Sequence, residues 1–146
     1  MKTILIAAHA SFSALWLGCI LTEALFERAL LPKGQDGRLT LAHLHVRVDK
    51  IVELPAIFGV LFTGLFMLLE GGRGGLAFHT MLGAGVLAVT ANLYCVWLVF
   101  QRRDAAVSGN WQRFQSLDHL QHKLGAVVLI GVLAALVAGY WGRSVA

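Results

Sequence analysis

Four long apolar runs constrain this chain more than any other feature. They extend over about residues 3–26, 51–69, 76–100 and 124–141. Each approaches the ~20 residues that an α-helix needs to cross a hydrocarbon core ~30 Å thick. Alternating segments of ~10 residues, the mark of a membrane barrel, do not occur, and open backbone is not tolerated in lipid. The alternative of a soluble fold fails on arithmetic. The 146 residues are 58% hydrophobic and 14% charged, with a mean hydropathy of +0.72. A soluble domain of this size buries only ~60–70% of its unfolded surface, too little to hide so many apolar side chains. Disorder, a collagen-like chain and a disulfide scaffold are excluded by the same figures. The expectation is an all-α integral membrane protein, an up-down-up-down four-helix bundle forming one domain over residues 1–146.

The connections are polar from Glu27 to Lys50 and from Gln101 to Lys123, with a short Gly-rich turn from Gly71 to Gly75. In the last long connection, Trp111, Phe114, Leu117 and Leu120 recur every third residue after Ser108-Gly109-Asn110. That spacing predicts an amphipathic turn at the membrane surface, capped by Ser108 or Asn110, or an early start of the fourth helix. Lys2 followed by an apolar run ending in Leu17-Gly18-Cys19 looks like a secretory or lipoprotein signal. Because the run continues to Phe26, an uncleaved first helix is expected instead. Cys19 and Cys95 fall inside spans, where free thiols act as small apolar fillers.

Basic residues set the expected orientation. Nine lie in the two long connections (Arg28, Lys33, Arg38, Arg47, Lys50, Arg102, Arg103, Arg113 and Lys123), against Lys2, Arg73 and Arg143 elsewhere. The long connections are therefore expected in the cytoplasm of a bacterial-type inner membrane, with both termini in the periplasm. The pI of 9.5 does not indicate nucleic acid, because the positive charges form no stripe beside exposed aromatics. The lipid bilayer is the expected partner.

Ionisable residues in or near the spans carry the functional information, since burying them in a bilayer is costly. His9, Trp16, Glu23 and Glu27 share one helical face within about 40°, and His9 stands about 21 Å along the axis from Glu23. That face visits two levels of the membrane. At the outer level His79, on the third helix, matches the depth of His9, and Thr90, Tyr94 and Trp97 continue its face. At the inner level stand Glu23, Glu27, His45, Asp49, Glu53, His119 and His122. Two imidazoles across an apolar bundle suit the axial positions of a haem b. Mixed carboxylates and imidazoles suit Fe(II), Mn(II) or Zn(II) in a bundle core. A second haem held by His45 with His119 or His122 is the alternative. A further alternative is that Arg28, Arg47 and Lys50 pair with the acids and no metal is held. His43 reads as an interfacial residue.

The segment His9-Ala-Ser-Phe-Ser-Ala-Leu-Trp16-Leu-Gly18 resembles the first helix of HemJ-type protoporphyrinogen oxidases and their CopD-like relatives. The resemblance continues through Arg47–Gly64 (RVDKIVELPAIFGVLFTG), His79–Arg103 (HTMLGAGVLAVTANLYCVWLVFQRR) and Trp111–Lys123. It implies a four-helix membrane protein that binds haem b, with His9 matching the family's first-helix histidine. Met81 stands where the family has a lysine two residues after the third-helix histidine, and Leu25 where its first helix has an arginine. These departures weaken the case for porphyrinogen oxidation and imply a divergent member. The expectation is a haem b-binding redox protein with His9 and His79 as axial ligands, leaning to an oxidoreductase fed by a quinol or a redox protein. CopD-like copper handling and a cofactor-free assembly subunit of a respiratory complex are the alternatives.

Overall fold

The structure, a computed structural model, describes residues 2–71 and 74–144. Its regular elements are all helical: α1 (Lys2–Leu30), α2 (Gly34–Val48), α3 (Leu54–Leu69), α4 (Leu76–Val107) and α5 (Trp111–Ser144). Three continuous helical stretches are long and apolar enough to cross a membrane: Lys2–Leu69, Leu76–Val107 and Trp111–Gly142. The first of these turns back on itself. A 3-10 turn over Leu31–Lys33 carries Pro32, and Gly34 follows at φ 75°, a left-handed value that glycine adopts without strain. A Cβ at Gly37 would come within 2.1 Å of the Leu30 carbonyl oxygen, so the corner closes only around a bare Cα. Beyond it α1 and α3 run antiparallel, with Phe12 against Gly59 and His9 against Gly64.

The segment expected as the first polar connection is thus almost entirely helical. Leu41, Ala42, His45 and Val46 are buried on one face of α2, the spacing of an amphipathic helix. Ala42 packs with Ala105, Ala106 and Phe114 in a small cluster of its own. Between α2 and α3 the chain widens into a π-helical turn over Asp49–Glu53. The reason lies just beyond it. Pro55 has no N–H to give the Ile51 carbonyl, and its ring would press on that oxygen in a regular helix.

The other long connection also shrinks. α4 continues past residue 100 to Val107, and α5 begins at Trp111 rather than near residue 124. This is the early start of the last helix, and Asn110 is its cap: its side-chain oxygen accepts the Arg113 backbone N–H at 3.1 Å. α4 and α5 pack antiparallel through small residues, Gly131 against Ala84 and Ala88, and Gly142 against Ala77.

The main core joins Trp16 of α1, Ala56 and Ile57 of α3, Ala88, Val89 and Cys95 of α4, and Val128 and Val132 of α5. It occupies only part of the length. Beyond Ser13, Thr63, Ala88 and Val132, toward the C-terminal end of α3 and the start of α4, no described residue is buried. His9 lies toward this open end, and Glu23, Glu27, His45, Asp49 and Glu53 lie at the closed, polar-filled end opposite it. Phe58, Phe62, Leu69, Ile130 and Val137 are all well exposed, as a lipid-facing surface requires. Arg73, the termini Met1 and Ala146 and the Arg143 side chain, all used in the orientation argument, lie outside what is described.

Candidate functional site

The closed end is organised by a residue that the sequence places among the loop cations. Arg102 is fully buried, because Leu98, Val99, Ala105 and Ala106, a helical turn before and after it, are buried on the same face of α4. Its Nη1 donates to Glu27 Oε1 at 3.2 Å and to Asp118 Oδ1 at 2.5 Å. Its Nη2 donates to His45 Nδ1, and its guanidinium lies 5.6 Å from the centre of the Phe114 ring. His122 closes the group: Nε2 is 2.8 Å from Glu27 Oε2 and Nδ1 is 2.8 Å from the Asp118 carbonyl oxygen.

In this hub two carboxylates face a guanidinium and an imidazole, while the buried His45 Nε2 and Arg102 Nε make no hydrogen bond. His45 Nδ1 accepts from the guanidinium, while both nitrogens of His122 face acceptors. Glu27, Asp118 and His122 have donor atoms within 4.8 Å of one another, yet hydrogen bonds explain that closeness. Arg28 and Arg47 are exposed, and Lys50 lies 5.0 Å over the Phe100 ring. The neutralising cation is therefore Arg102 and not the three basic residues expected. His119 and His43 are exposed, so the seven residues expected at the inner level do not form one centre.

Glu23, Asp49 and Glu53 form a second, separate group. One oxygen from each lies within 4.8 Å of the others. Asp49 and Glu53 come from the π-helical turn and are almost wholly buried. Asn92 and Trp16 lie beside the Glu53 carboxyl and are buried as well. Asn92 Nδ2, Trp16 Nε1, Glu23 Oε1 and Asp49 Oδ2 nevertheless make no hydrogen bond.

At the open end, His9 Nδ1 is 2.9 Å from Thr63 Oγ1. The Thr63 hydroxyl proton is already given to the Gly59 carbonyl, 2.6 Å away. Thr63 Oγ1 must therefore accept from His9, which fixes the proton on Nδ1 and leaves the lone pair on Nε2. His79 is not brought to it. It is exposed beside Phe78, on the face of α4 that also carries exposed Thr90, Tyr94 and Trp97. Nine residues separate His79 from Ala88, half a turn round the helix at about 100° per residue, which puts His79 opposite the core-facing side. Nothing local in the sequence marks Thr63, Asn92 or Asp118, and Arg102 reads there only as a loop cation. Their signal was burial, and for Arg102 the flanking apolar residues carry it. No protein-family model matches the chain, and no curated protein or solved structure matches it.

Proposed function

We propose that the chain is a membrane-embedded, haem b-binding redox protein. Its helices cross a bacterial-type inner membrane in up-down-up-down order as a four-helix bundle, and His9 Nε2 is the atom that would hold the haem iron. The observation that carries this reading is the Thr63 hydrogen bond, which presents an unprotonated Nε2 at the end of the molecule where no described residue is buried. A ligating histidine needs its other nitrogen held by such a partner, and a flat macrocycle needs apolar walls not already packed together. When bound, haem b supplies one-electron transfer, and a quinol or a redox protein would be the donor. Copper handling has less support, because Cys19 and Cys95 are buried in the span interiors and only three methionines are present, whereas a Cu(I) path favours soft sulfur ligands.

The full chain purified in detergent from haem-replete cells is expected to be red, with a Soret band that shifts on dithionite reduction. His9→Ala should abolish the band and Thr63→Val should lower haem affinity by ~10-fold or more, while His79→Ala should leave both unchanged. A colourless wild-type protein, or a His9→Ala protein with full haem content, would overturn the reading.

A further inference from the structure

We propose that Glu23, Asp49 and Glu53 form a binding site for one hard divalent cation of the Mn(II) or Mg(II) class, with Asn92 as a fourth oxygen donor. The site is independent of the haem reading, since it lies at the closed end and shares no residue with His9. Three carboxyls converge there from α1 and the π-helical turn, within 4.8 Å of one another. The nearest guanidinium, that of Arg102, is engaged by Glu27 and Asp118, so the group lacks a counter-charge of its own. Buried charge without a partner is the costliest arrangement a membrane protein can hold.

The cluster alone would not identify a ligand. The decisive observation comes from another helix. Asn92 is 3% exposed, lies against Glu53, and leaves its amide nitrogen without a hydrogen bond. Turning that amide over, which preserves its shape, replaces an orphaned donor with a carbonyl oxygen beside the carboxyls. The two orphaned acceptors, Glu23 Oε1 and Asp49 Oδ2, are the atoms a cation would take. Trp16 Nε1, also orphaned, is left to donate to Glu53 and hold it in place, as outer partners of metal-bound carboxylates do. An all-oxygen set with no imidazole or thiolate selects a hard ion. The π-helical turn brings Asp49 and Glu53 to the site together, a use for which such turns are known.

The test is Mn(II) titration of the chelator-stripped full chain in detergent, followed by loss of the six-line paramagnetic resonance signal of aqueous Mn(II). One bound Mn(II) per chain is expected. Glu53→Gln and Glu23→Gln should each weaken it by ~10-fold or more, and Asn92→Leu by less. His9→Ala should bind Mn(II) as the wild type does, which separates this site from the haem. Should the carboxyl variants fail to fold, the wild type still decides: its melting temperature must rise with added Mn(II). No bound Mn(II), or binding unchanged in folded Glu53→Gln and Glu23→Gln, would overturn the proposal. So would an infrared carboxylic acid band that persists at saturating Mn(II) and disappears in Glu53→Gln, since protons would then neutralise the group.

Discussion

Arg102 holds more of the closed end together than any other side chain. It is wholly buried and joins α4 to Glu27 of α1, His45 of α2 and Asp118 of α5. Arg102→Met would strand two half-buried carboxylates; breaking a fully buried pair from one side costs about 3–5 kcal/mol, and the partial exposure of these acids puts the loss near the lower end of that range. Thermal unfolding in detergent should fall by roughly 10 °C. Arg102→Lys should recover little, because one ammonium cannot reach three partners in different directions. Removing the acids as well, in Arg102→Met with Glu27→Gln and Asp118→Asn, should return part of the loss. If that triple variant unfolds as early as Arg102→Met alone, lost packing and not stranded charge is the cause. Arg102 also shows what sequence leaves hidden. Beside Arg103 and Asp104 it reads as a loop cation, and only the apolar residues three and four positions away mark it as inward-facing. His9 stands out in the sequence by its position in a span, but the Thr63 hydroxyl bonded to it is more than fifty residues distant and leaves no local sign.

Among the elements, the pairing of α4 with α5 depends on close backbone approach at one level. A Cβ on Gly131 would stand 2.9 Å from the Ala88 Cβ and 3.2 Å from the Ala84 carbonyl oxygen. Small residues at such contacts let helices pack in lipid, where burial of apolar surface does not drive them together. Gly131→Val should therefore force the pair apart and cost about 1–3 kcal/mol. Gly125→Ala, on the same helix with nothing within 4 Å of the added atom, should be neutral or slightly stabilising. Equal melting temperatures for the two variants would mean that this contact is not close. Hydropathy located the helices well and their ends poorly. It reads the span interiors, whereas α2, the last turns of α4 and the first turns of α5 are amphipathic helices outside the apolar runs. The π-helical turn has a visible cause in Pro55, but the carboxyls it aligns find their partners on α1 and α4, which no local pattern specifies.

For the molecule as a whole, the two ends differ in charge as well as in packing. Arg102 is inside the protein and should leave the orientation count, so eight basic residues remain in the two connections expected on the cytoplasmic side, against the three expected on the other. The sign of the bias survives the correction. A shallow groove at the closed end is lined by His43, Arg47, Lys50 and Arg103, basic groups suited to the anionic headgroups of a cytoplasmic leaflet. Lys and Arg near span ends resist translocation, whereas acidic residues count for little, so the carboxylates of the closed end do not offset this bias. The expected topology has Met1, the 71–75 turn and Ala146 outside, and the Leu31–Gly34 corner and Ser108–Asn110 inside. An alkaline phosphatase fused after Ala146 should be active and a green fluorescent protein there dark, with the opposite pair of results for fusions at Gly109. A bright C-terminal fluorescent fusion would invert the molecule. The open end with His9 would then meet the cytoplasm, and any electron donor would have to be sought on that side.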